Sequence, residues 1–147
     1  MILISHRGNI DGPNLERENT KSYIDECIDT GYEVEIDVWM IEDKLFLGHD
    51  EPINPVTLQW LQDRSEKLWI HCKNFNSLQF LLGHNELRVF FHEKEKYTIM
   101  SNGLVWAHEL NETNQRCIIP LLAEKDLISW NPVSVFGVCS DYIKFLK

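Results

Sequence analysis

The sequence predicts an α/β fold on a parallel sheet, and three observations lead there. Short apolar runs alternate with helical stretches through the first half of the chain. At 147 residues and 44% hydrophobic content, the chain suits one compact domain spanning residues 1–147 with its own core. Its reactive side chains gather where those strands end, the usual place for chemistry in a parallel α/β sheet.

Ile2–Ser5 is a short apolar strand that ends in His6-Arg7-Gly8. Asn9–Arg17 carries Asp11, Gly12, Pro13 and Asn14, which is loop chemistry. Asn19 or Thr20 can cap a helix whose apolar face is Tyr23, Ile24, Cys27 and Ile28, with Gly31 as its stop. Asn54-Pro55 reads as a cap and first turn of a short helix reaching about Arg64. Leu68–Cys72 is a strand. Asn76 can cap a third helix with Leu78, Leu81 and Leu82 inward. Arg88–His92, Leu104–Ala107, Cys117–Leu122 and Val135–Cys139 follow as strands, and Tyr142–Lys147 as a short helix. The later strand starts lie too close together for full helical crossovers, so the second half reads as trimmed of helices.

Glu33–Asp50, between the first two helices, carries the densest chemistry. Val34, Ile36 and Val38 alternate with Glu33, Glu35 and Asp37, the period of a strand with one apolar and one carboxylate side. Glu35 and Asp37 point the same way, roughly 6–7 Å apart. Such a strand is most often just half-exposed. Buried, the two acids would call for compensation, which a hard cation such as Mg²⁺ or Ca²⁺ provides. Glu42-Asp43 suits a turn, and Lys44–Gly48 returns His49-Asp50 to the same place.

The formal charge of −9, from 14 Lys+Arg against 23 Asp+Glu, argues against nucleic-acid or anionic-membrane binding. Cys27, Cys72, Cys117 and Cys139 sit among apolar residues without a C-x-x-C pair, so they read as buried free thiols. No signal peptide and no apolar run near ~18–20 residues is present, so the expectation is a cytoplasmic protein with no membrane span.

His6, Arg7, Glu35, Asp37, His49, His71, Lys73 and Asp141 all fall at strand ends on one edge of the expected sheet. Two histidines, a carboxylate pair and two cations suit cleavage of a phosphate ester. One imidazole takes a proton, the other gives one, and the cations balance charge on phosphorus. Taken singly, each residue is more often structural. Among later residues, His92, Trp106 and His108 are candidates for the mouth of the site, with core or wall as the alternative for Trp106.

In order, His6-Arg7-Gly8, Glu18-Asn19-Thr20, Glu35-Ile36-Asp37-Val38 and Gly48-His49-Asp50 resemble the motifs of glycerophosphodiester phosphodiesterases. The resemblance covers roughly the first 75 residues; Ser140-Asp141-Tyr142 is similar to the motif closing that family's last strand. It implies a TIM-type (β/α) barrel, here reduced, with regular βα units in the first half and trimmed helices in the second. It further implies His6 and His49 as the acid/base pair and Arg7 and Lys73 on phosphate; Trp106, outside the resemblance, is the candidate substrate contact from its place at the mouth. Glu35, Asp37 and Glu18 would serve a divalent metal, Ca²⁺ or Mg²⁺, and the substrate would be a small phosphodiester. Two features depart from the family pattern. His71 stands where a ligating Glu is expected; imidazole is a poor Ca²⁺ ligand, so the expectation is a preference for Mn²⁺ or Mg²⁺, or weak metal binding. The chain is also roughly a hundred residues short of the ~250 of a full barrel. A homodimer covering exposed strand edges is therefore expected. A non-catalytic phosphate or sugar-phosphate binder, or a lyase stopping at a cyclic phosphate, are the alternatives.

Overall fold

A computed structural model describes residues 1–131 and 134–147. Ten strands form one sheet: β1 (Ile2–His6), β2 (Glu33–Ile41), β3 (Lys44–Leu47), β4 (Asn54–Val56), β5 (Leu68–Cys72), β6 (Val89–Phe90), β7 (Tyr97–Ile99), β8 (Val105–Ala107), β9 (Cys117–Pro120) and β10 (Gly137–Ser140). Among the described residues, four short helices accompany them: α1 (Lys21–Asp29), α2 (Leu58–Gln62), α3 (Phe75–Leu82) and α4 (Glu124–Ser129). A single 3₁₀ turn, Ile143–Leu146, ends the chain.

This corrects the barrel expectation. The structure is a mixed sheet with few, short helices, and not a TIM-type barrel with alternating βα units. Two features of the chain account for the difference. After β2, the left-handed pair Glu42 and Asp43 closes a tight hairpin, so β3 and β4 are inserted antiparallel and only the five-residue α2 is left before β5. After β6, the connection is occupied by β7, which runs antiparallel to β8.

The remaining pairings are parallel, in the lateral order β6-β5-β2-β1-β10-β9-β8. The sheet curves until its flanks meet: the Ser101 amide donates to the Val89 carbonyl at 2.9 Å, and the Val89 amide donates to Ser101 Oγ at 2.9 Å. The curvature creates an inside. Ile4, Trp69, Phe90, Met100, Trp106, Ile118 and Cys139 fill it as one apolar layer.

On the outside, Val34, Ile36 and Val38 of β2 pack with Leu68, Ile70 and Cys72 of β5 under the helices. Each such side chain contributes about 1.5–3 kcal/mol when fully buried. Nine residues are too few for α1 to persist alone, so its order depends on docking Ile24 and Cys27 there. Ile119, Leu121, Val135 and Val138 form a third cluster beyond β9 and β10.

Several local expectations change. Asn54 pairs with Leu47 in a strand instead of capping a helix, and Thr57 caps α2 through the Trp60 amide. Asn74, not Asn76, caps α3, which turns Leu81 fully inward and leaves Leu82 exposed. α4 and β7 were not legible in the sequence. The four cysteines are buried and free. Among the described residues, no helix is long and apolar enough to cross a membrane.

Candidate active site

The pleat decides which side chains enter. Alternate residues of β1, β2 and β5 face inward, and pairing sets them side by side: His6 opposite Glu35, Glu35 opposite Trp69, and Asp37 opposite His71. His6 and His71 stand at or near the carboxyl ends of β1 and β5, with Glu35 and Asp37 beside them, whereas Trp69 lies deeper, in the apolar layer. Glu33, Glu35 and Asp37 share this side of β2, but their surroundings differ. Glu33 is answered by Trp69 Nε1 at 2.7 Å and Arg88 Nη1 at 3.0 Å, which makes it structural. Glu35 and Asp37 are 2% and 0% exposed, and Glu35 Oε2 and Asp37 Oδ1 have no hydrogen-bond partner. Buried oxygens without partners are costly.

Arg7 answers part of this charge. It sits at a positive φ of 58°, immediately after β1, which turns its side chain across the site. Its Nε lies 3.0 Å from Asp37 Oδ2, and its Nη1 donates to Glu18 Oε2 at 3.3 Å. Asn19 holds the same Asp37 Oδ2 at 2.9 Å and accepts from the Asp37 amide at 3.0 Å. Lys73 Nζ stays 3.9 Å from Asp37 Oδ1. Around these groups, the carboxylates of Glu18, Glu35, Asp37 and Asp141 face two fixed cations, Arg7 and Lys73.

Burial raises the Glu35 carboxyl well above its usual range, and the neighbouring Asp37 charge adds to this against Arg7 and Lys73. Burial acts on Asp37 in the same direction, but the adjoining His49 and His71 imidazoles and Arg7 outweigh it and hold Asp37 well below. Arg7 is itself raised: burial disfavours its charge, and Glu35, Asp37 and Glu18 more than restore it.

Hydrogen bonds also assign the imidazole protons. His6 Nδ1 lies 2.8 Å from Asp141 Oδ1, an acceptor that Asn9 Nδ2 also holds at 2.7 Å. His6 therefore carries its proton on Nδ1 and turns a bare Nε2 toward Glu35, 3.7 Å away. His49 is the reverse. Arg7 Nη2 can only donate, at 2.6 Å, to His49 Nδ1, so a neutral His49 carries its proton on Nε2.

A pocket of about 140 Å³ opens onto these groups, with His6, Arg7, Glu35, His49 and His71 on its polar side. Phe90 and Trp106, stacked at 4.7 Å, line the other side. His92 and His108 stack at 3.9 Å nearby. Burial and the other imidazoles lower both from the usual histidine range.

No protein-family model, curated protein or solved structure matches the chain. The site therefore has to be read from its own geometry.

Of the residues singled out in the sequence, His6, Arg7, Glu35, His49 and His71 line one pocket, and Asp37 is buried behind it against Arg7 and His71. Lys73 reaches Asp37 from β5's end, and Trp106 is a buried wall. Among the described residues, Glu18 stands apart from the group whose donor atoms could hold a metal ion. It is bound by Arg7 and by Asn9 Nδ2 at 2.9 Å, while the three residues whose donor atoms converge within 4.8 Å are Glu35, Asp37 and His71. Asn9 and the full role of Asn19 were missed. Nothing around Asn9 in the sequence marks it. Asn19 at φ 55° had a signal, since asparagine tolerates the left-handed region, but the sequence offered it as a helix cap, the place Thr20 takes.

Proposed function

We propose that this chain is a metal-dependent phosphodiesterase that hydrolyses a glycerophosphodiester-like compound by His/His acid–base catalysis. The observation that carries the reading is the opposite protonation of two imidazoles on one pocket. His6, oriented by Asp141, offers a bare Nε2 as general base, and His49 turns general acid when Arg7 leaves its Nδ1 for the phosphate and that nitrogen takes up a proton, so that the imidazolium gives its Nε2–H to the leaving oxygen.

His6 takes the proton from the attacking oxygen, and His49 gives one to the leaving oxygen. Arg7 lines the pocket and brings positive charge to the place where negative charge builds on phosphorus. The orphaned oxygens of Glu35 and Asp37 fit a divalent ion, which would rest on Glu35, Asp37 and His71 and supply Lewis-acid charge compensation when bound. The Phe90–Trp106 wall excludes water from one side of the substrate. The glycerol-bearing class of substrate is suggested by the ordered motifs around His6, Glu18, Glu35 and His49.

Glycerophosphodiesters incubated with the protein and followed by phosphorus NMR test this. Turnover should stop with EDTA, return with a divalent ion, and vanish in His6→Ala and His49→Ala. A monoester product identifies a hydrolase, and a cyclic phosphate a lyase. Activity indifferent to chelation, or retained in both histidine variants, would overturn the mechanism.

A further inference from the structure

His71 occupies an unusual electrostatic position. Its Nε2 lies 3.1 Å from the backbone carbonyl oxygen of His92. A carbonyl can only accept, so Nε2 carries the hydrogen and a neutral ring has its lone pair on Nδ1. That lone pair points among carboxylate oxygens: Asp37 Oδ1 at 3.2 Å and Glu35 Oε1 at 3.8 Å. The ring is held there by stacking on Phe90, with centroids 5.0 Å apart and planes 9° from parallel. Despite the short distance, Asp37 Oδ1 has no hydrogen-bond partner. Acceptors facing one another need either a proton on Nδ1 or a metal ion between them, and the ion can take the place of that proton. A ring nitrogen free for an ion, with the other tied to a backbone carbonyl, is the usual arrangement of a metal-binding histidine.

We propose that Glu35, Asp37 and His71 form a mixed oxygen–nitrogen site that selects a first-row transition-metal dication such as Mn²⁺ or Co²⁺ over Ca²⁺, with His71 ligating through Nδ1. Ca²⁺ takes 6–8 oxygens. This site offers few. Asp37 Oδ2 is already engaged by Asn19 and Arg7, and Glu18 by Asn9 and Arg7. Imidazole favours borderline ions. The proposal rests on the metal part of the proposed function and not on the phosphodiesterase reaction.

The test needs no substrate. Metal-free protein is titrated calorimetrically with Mn²⁺, Co²⁺, Mg²⁺ and Ca²⁺, and the Mn²⁺ form is examined by pulsed EPR. Mn²⁺ should bind roughly tenfold or more tighter than Ca²⁺, and the spectrum should show coupling to one imidazole nitrogen. His71→Glu should abolish that coupling and move the preference toward Ca²⁺; if this variant does not fold, the coupling in the unmodified protein decides alone. Equal or tighter Ca²⁺ binding, bound Mn²⁺ without nitrogen coupling, or no ion binding overturns the proposal. Nitrogen-coupled Mn²⁺ without phosphodiester turnover would instead leave the metal site standing and remove the reaction.

Discussion

Asp141 and His6, 135 positions apart in the chain, share a 2.8 Å contact between Oδ1 and Nδ1. The parallel pairing of β10 with β1, Ser140 opposite Ser5, puts one residue beyond each strand at the same height. Asp141 therefore fixes which ring nitrogen of His6 faces the pocket. Asp141→Asn should keep the fold and substrate binding but lose the orienting carboxylate. We expect kcat to fall by about 10²–10⁴ with KM little changed, measured on a glycerophosphodiester. An unchanged kcat would remove Asp141 from the mechanism.

Arg7 is the principal counter-charge to Asp37 and Glu18, with a largely buried side chain. Removing one partner of such a pair leaves charge uncompensated, at a cost of about 3–5 kcal/mol. Arg7→Met should lower the urea midpoint accordingly, and a saturating divalent ion should recover part of the loss. A midpoint within error of the unmodified protein would show that the pair is solvent-screened.

Glu35 and Asp37 should respond oppositely to pH in the metal-free protein. The Glu35 carboxyl is raised. Its contribution is fully present below the ordinary Glu value of about 4.3 and is lost as pH rises through the folded value. Asp37 is depressed. Its contribution is present above about 3.9 and is lost as pH falls through the folded value. Glu35→Gln should therefore stabilise the protein at pH 7 and be close to neutral at pH 4, whereas Asp37→Asn should destabilise it at pH 7. Denaturant melts at the two pH values check both signs.

Gly48 delivers His49. A Cβ there would overlap the Glu51 carbonyl oxygen, so the backbone must shift if any side chain is added. Gly48→Ala should displace His49 from Arg7 and reduce turnover sharply. Asn19→Ala, which removes both hydrogen bonds to Asp37, should instead cost about 1–3 kcal/mol of stability. Thermal melts and turnover measured on both variants separate the two effects.

Strand existence and facing were legible along most of the chain, because alternation on β2 and the apolar runs of β1, β5, β9 and β10 are local signals. The chain-order inference that reactive groups share one edge needed only the parallel pairing of those strands. The helical content was less legible. Asn54-Pro55 has the chemistry of a helix start, yet pairing with β3 outweighs it, as tertiary pairing often does for short segments. β7 is three residues long and carries no period of its own.

By itself, the sequence determined that Glu35 and Asp37 stand side by side and that His6-Arg7 and His49 follow strands; its reading that the later gaps are too short for helical crossovers failed between β9 and β10, which α4 joins. Only the tertiary structure decided that Glu33 is closed by Trp69 and Arg88 while Glu35 and Asp37 stay open, that Glu18 serves Arg7, and that the sheet is mixed. The physical reason is that a strand's period fixes direction, whereas a partner's identity depends on which distant strand lies alongside. Proton placement on His6, His49 and His71 belongs wholly to that second kind, since each ring is oriented by a group from another part of the chain.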